Sequence, residues 1–110
     1  YFFSNYSISL ERVYKWTYNT NKKEEVIQIP PHMFPLTIRN WKTGDRFTPL
    51  GMKGSKSLSD FFIDQKINVF KKKKIPLLCY NDKILWVFGH QISDIVKVSG
   101  VEDIYRISYN

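Results

Sequence analysis

One cysteine and two histidines are all that these 110 residues offer to a soft metal or a thiol chemistry. Cys79 has no partner for an internal disulfide, so nothing points to a secreted, disulfide-built scaffold. It lies inside an apolar run, His32 lies among prolines, and His90 follows a glycine. No pair of them has the spacing of zinc ligands or of a nucleophile and its base. Asp60 and Asp64 stand one helical turn apart, where capping and pairing with lysines outweigh metal binding. Long apolar runs are missing as well. Nothing approaches membrane-spanning length, and the opening YFFSNYSISLER lacks a basic region ahead of a continuous apolar core. The expectation is a cytoplasmic protein with no membrane partner, no metal and no catalytic site of its own. The chain starts at Tyr1 and not at Met, which reads as a fragment of something longer.

Acidic residues are scarce, ten against seventeen Lys and Arg, and the shortage is local. Between Arg39 and Lys74 there are ten basic and three acidic residues, a net of +7, whereas the rest of the chain carries seven of each sign. A dispersed excess of lysine reads as a solubility device. An excess confined to one third of the chain reads as a surface for phosphates. The competing reading is a solvated face without a partner.

What is present fits one domain of α+β class. Residues 1–30 read as an N-terminal hairpin. Its first strand is LERVYKWTY (10–18), Asn19-Thr20-Asn21 is the turn, and EEVIQI (24–29) returns beside it. Pro30-Pro31 ends it, because proline lacks the N–H a ladder needs. This hairpin is a candidate for the end of a preceding linker domain, with residues 31–110 the domain proper. LTIRNW (36–41) alternates as a strand, Thr43-Gly44-Asp45 turns the chain, and Arg46–Leu50 makes a further short strand. Ser57 with Asp60 three residues on predicts a helix N-terminus, followed by Leu58, Phe61, Phe62 and Ile67 on one stripe. Val69-Phe70 and the lysines extend it or form a second short helix. IPLLCY (75–80) and ILWVF (84–88) read as a buried hairpin around Asn81-Asp82-Lys83. Ile95–Val98 and Ile104–Tyr109 would be two more strands. The sum is one central helix among about six strands, packed as a small sandwich or partial barrel. Phe61, Phe62, Trp86 and Phe88 are expected in the core, and Trp41 is the better candidate for stacking on a base.

The motif chain carries a resemblance. Arg39, Gly44-Asp45-Arg46, Pro49-Leu50-Gly51, the basic loop Lys53 to Lys56, Phe61 to Ile67, Pro76-Leu77-Leu78 and Ile84 to Gly89 follow one another in a specific order. Over residues 36–98 this resembles the C-terminal domain of bacterial tRNA(Ile)-lysidine synthetases. Two departures stand out: Asn68 where that family usually has proline, and Lys71, Lys72, Lys73 and Lys74 where it commonly has an arginine. Lysine supplies charge for a phosphate but no bidentate base reader. The resemblance implies an α+β tRNA-binding domain of an ATP-dependent ligase that converts the wobble cytidine of tRNA(Ile), anticodon CAU, to lysidine. It implies no cofactor in this domain, because the Ser-Gly-Gly-x-Asp-Ser phosphate loop is absent. ATP and Mg belong to the parent's N-terminal domain. The implied partners are tRNA(Ile) and the other domains of the same enzyme.

The candidate RNA contacts are Arg39, Lys42, Arg46, Lys53, Gly54, Lys56 and Lys71 to Lys74. Phosphates and 2′-hydroxyls dominate what A-form RNA exposes, so charge and shape should carry the binding. The glycine-bounded loop Gly51–Gly54 ahead of the capped helix is a place where backbone N–H groups can approach a phosphate. Arg46 next to Asp45 reads equally well as a local structural pair. The alternative function is a protein-interaction or homodimerisation module, motivated by the aromatic content and by the strand edges a small sheet protein must manage.

Overall fold

The computed structural model describes residues 2–3, 6–15 and 24–109. Along them run β1 (Phe2–Phe3), β2 (Tyr6–Arg12), β3 (Glu24–Gln28), β4 (Thr37–Asn40), β5 (Arg46–Phe47), β6 (Lys56–Ser57), α1 (Leu58–Asp64), α2 (Val69–Lys72), β7 (Pro76–Tyr80), β8 (Lys83–Val87), β9 (Gln91–Ile92) and β10 (Ile104–Tyr109). Single 3-10 turns occupy Pro31–Met33 and Asp94–Val96. The strands form an antiparallel sheet in the order β1-β2-β10-β3, a second in the order β4-β7-β8-β9, and the ribbon β5-β6. The domain is mostly β, with few helical residues.

The two apolar runs explain how the layers stack. A strand covered on one face alternates in polarity, whereas one covered on both faces reads as a continuous apolar run. In β7, Leu78 joins a core shared with the first sheet, including Ile27, Ile29 and Ile107. Leu77 and Cys79 point the other way, into a core with Phe47, Leu58, Phe61 and Phe62. In β8, Ile84 and Val87 face the α1 side, but Leu85 and Trp86 both join the inter-sheet core. A bulge makes this possible. Leu78 pairs with Trp86 and Cys79 with Ile84, so Leu85 is the extra residue. The second sheet is thus the middle layer, between the first sheet and α1.

Several expectations change. The first strand runs over Tyr6–Arg12 and not over 10–18, and α1 ends at Asp64, short of Ile67. β2 and β3 do not form a hairpin with each other: β10 lies between them, pairing Ile107 with Leu10 on one side and with Glu25 on the other. Tyr105, Ile107 and Tyr109 alternate on the face of β10 that packs into the inter-sheet core. The C-terminal strand therefore completes the sheet of the first thirty residues, while the Asn19-Thr20-Asn21 turn lies outside the described residues. The helix is peripheral and not central. Its seven residues offer a single apolar face, Leu58, Phe61 and Phe62, and Ile63 remains 71% exposed. Ile95–Val98 is not a strand, because Ser93 caps a 3-10 turn there that buries Val96 and exposes Ile95. The short strands β6 and β9 were not foreseen; two residues leave no periodicity to read.

Candidate nucleic-acid interface

The turn after β4 is built on Asp45. Its carboxylate accepts two hydrogen bonds from Arg39, Nη1 to Oδ2 at 2.8 Å and Nη2 to Oδ1 at 3.0 Å. The Lys42 amide donates to the same carboxylate at 2.8 Å, and the Asp45 carbonyl accepts from the Leu58 amide at 2.9 Å. Gly44 makes the turn possible at φ +95°, a region other residues avoid. Strand, turn and helix start are therefore tied to one residue. Burial opposes ionisation of Asp45, yet the hydrogen bonds from Arg39 and Lys42 outweigh it and hold its pKa below the usual value. Arg39 is correspondingly raised, chiefly by its hydrogen bond to Asp45. The local pair expected for Arg46 belongs to Arg39.

Arg46 instead reaches across the β5-β6 ribbon, with Nε to Ser55 Oγ at 3.0 Å and Nη2 to the Ser55 carbonyl at 3.2 Å. It braces the basic loop from the surface. Lys56 pairs with Asp64 on α1. The loop itself is tethered by its amides: Gly51 N donates to Asp94 Oδ1 at 3.0 Å and Met52 N to the Pro49 carbonyl at 3.0 Å. Asp60 N is taken by the Ser57 cap at 3.1 Å. Two of the loop amides expected to meet a phosphate are thus taken by internal bonds, and what the loop offers outward is the exposed Lys53 beside exposed Gly54.

α2 follows, with Asn68 Oδ1 accepting from Lys71 N at 2.8 Å. Asn68 is thus the cap of this short helix. Lys72 lies over the Trp41 ring, Nζ 4.8 Å from its centroid, and joins α2 to the turn after β4. Trp41 also packs edge-on against Phe62 at 5.6 Å between centroids, so it serves packing first. Two open clefts flank this region, of about 390 and 370 Å³, and His90 lines both. The first holds Lys56, Leu50, Met52 and Phe61. The second holds Lys71, Lys74, Ile75 and Tyr109. Burial lowers the pKa of His90, so the ring separating the clefts is neutral at pH 7. Gly89, at φ +76°, lies directly under Tyr109: a Cβ there would come within 2.4 Å of its hydroxyl.

The nine charged candidate residues therefore divide. Arg39, Arg46 and Lys56 are engaged in bonds within the domain, and Lys72 covers Trp41. Lys42, Lys53, Lys71, Lys73 and Lys74 are exposed and make no ion pair with any acidic side chain among the described residues. Phe61, Phe62, Trp86 and Phe88 are buried, as their spacing suggested. Sequence reading missed the exposed Phe70 and the position of His90 between two clefts. Among the described residues no group of acidic, histidine or cysteine side chains is placed to hold a metal, and no helix is long and apolar enough to cross a membrane.

The architecture defines a small, mostly β domain with an excess of lysine on a loop, a turn and a short helix, near two clefts. The chain belongs to the TilS substrate C-terminal domain family, whose model matches residues 36–109. It is 42% identical over 78 residues to the tRNA(Ile)-lysidine synthase of Parabacteroides distasonis, a match covering 71% of this chain and 18% of that protein. It is 48% identical over 63 residues to that of Clostridium tetani, covering 57% and 14% respectively. A solved structure described as the crystal structure of TILS C-terminal domain superposes with a TM-score of 0.77 at 26% identity, over 96% of this chain and 83% of that one. The chain thus spans less than a fifth of the length of these synthases.

Proposed function

We propose that this domain binds tRNA on behalf of a tRNA(Ile)-lysidine synthase. It holds tRNA(Ile) while the enzyme's other domains, using ATP and Mg, convert the wobble cytidine of its CAU anticodon to lysidine. The domain performs no chemistry itself. The observation that carries this reading is the set of five exposed, unpaired lysines on the loop, turn and helix of a TilS C-terminal domain. The family match starts at residue 36, and β10 within it pairs with both β2 and β3, so the first thirty residues enter the proposal as part of the same folded unit and not as the end of a separate linker domain. Each of these lysines can neutralise a phosphate without breaking a bond within the domain, while Arg39 and Arg46 hold the turn and the loop that carry Lys42 and Lys53.

Titration of this chain with tRNA(Ile) and with an unrelated duplex RNA, each at 50 and 200 mM salt, tests the reading. With about five phosphates neutralised, affinity should fall between about 10²- and 10³-fold over that range. Replacing Lys71, Lys73 and Lys74 by alanine should weaken binding to both RNAs and flatten the salt dependence. Binding to neither RNA refutes the proposal. A stable dimer by light scattering in that case would favour the interaction module.

A further inference from the structure

α2 contributes no buried residue to any core. Val69 is 50% exposed and Phe70 is 77% exposed. Single exposed apolar side chains are ordinary, but this one is an aromatic ring on a capped helical turn, and four lysines follow it without interruption. Packing does not account for it. The buried aromatics of the basic segment, Phe47, Phe61 and Phe62, are all needed in the core beneath α1. Trp41 has one face under Lys72. Phe70 is the ring in this segment that presents itself to solvent.

A protein partner is disfavoured by the neighbours, because lysine is depleted from the centres of protein interfaces. A membrane surface is disfavoured by length, since the four residues of α2 make barely one turn. An aromatic face set among cations suits an unpaired nucleotide, whose base stacks while its phosphates meet the charges. Lys71 and Lys74, one and four residues beyond Phe70 in the chain, are exposed and line a cleft with His90 and Tyr109.

We infer that Phe70 is a stacking platform for an unpaired base of a bound RNA, with Lys71 and Lys74 taking the flanking phosphates. This rests on the RNA-binding reading above and adds a ligand feature to it: the domain distinguishes RNA with a single-stranded stretch from continuous duplex. The test uses this chain and two RNA hairpins, one ending flush and one carrying a short unpaired tail. Phe70→Ala and Phe70→Leu remove the ring, whereas Phe70→Tyr keeps it. Because the side chain is exposed, thermal melting should be unchanged in all three. The wild type should prefer the tailed hairpin. Both ring-less variants should lose that preference by between about 5- and 100-fold, in line with the loss of one stacked base. The tyrosine variant should keep it, and the flush hairpin should bind all four proteins equally. A preference that survives Phe70→Ala overturns the inference and leaves the RNA-binding reading intact. A preference kept by Phe70→Leu overturns it in favour of a plain apolar contact. Binding to neither hairpin overturns both readings.

Discussion

Removing the guanidinium of Arg39 should cost this fold more than removing any of its exposed lysines. Arg39 makes two charge-assisted bonds to a carboxylate whose side chain is 6% exposed, and its own is 25% exposed. Such bonds contribute about 1.5–3 kcal/mol each in favourable settings, and partial exposure of the arginine reduces that. A coupling of about 2 kcal/mol between Arg39 and Asp45 follows, and Arg39→Ala should lose about that much because Asp45 keeps only the Lys42 amide. For a domain near this size, about 2 kcal/mol lowers Tm by about 8 °C. A double-mutant cycle of Arg39→Ala and Asp45→Ala, followed by urea unfolding, measures the coupling directly. Arg39→Lys should recover less than half of it, since one ammonium cannot make the bidentate pair. The pH dependence has a definite sign. The pKa of Asp45 is lowered on folding, so the contribution of the pair is fully present above about pH 4 and is lost as the pH falls through the folded value. A coupling below about 0.5 kcal/mol would refute the reasoning, because it would place the pair among ordinary surface salt bridges.

Three further outcomes are expected. Gly89→Ala should destabilise by about 1–3 kcal/mol in denaturant titration, since the left-handed backbone and the Tyr109 hydroxyl both oppose a Cβ; an unchanged midpoint would contradict both causes. Cys79 is fully buried and its pKa is pushed up to about 11, first by burial. A thiol reagent at pH 8 should therefore leave it untouched until the chain unfolds, and rapid labelling of the folded protein would contradict its place in the core. Burial also depresses the pKa of His90. The unfolded chain then takes up the proton first, and stability falls as the pH drops below about 6.5. His90→Gln should weaken this dependence between pH 7.5 and 5.5, and an identical slope in both proteins would assign it to other groups.

Local patterns were legible wherever one residue acts on its near neighbours. The Ser57 cap, the apolar face Leu58-Phe61-Phe62, the Asn81-Asp82 turn and the two continuous apolar runs all appear in the structure in the places their spacing predicts. So do the burial of Trp86 and Phe88 and the confinement of charge to one segment. Their causes lie within a few residues: a hydroxyl three residues from an amide, or a period of 3.6 or 2.

The order of residues determined the composition of the basic segment, the start of α1, the β7-β8 hairpin and the motif chain that marks the family. Tertiary structure alone decided that β10 separates β2 from β3, that α1 covers the outer face of the second sheet, and that Arg39, not Arg46, holds Asp45. It also decided which lysines remain outward and that Phe70 is left in solvent. The physical reason is that pairing between distant strands and the choice of partner for a charge depend on which surfaces meet in space. No periodicity along the chain records that Ile107 faces both Leu10 and Glu25, or that a guanidinium on one strand closes on a carboxylate beyond the turn.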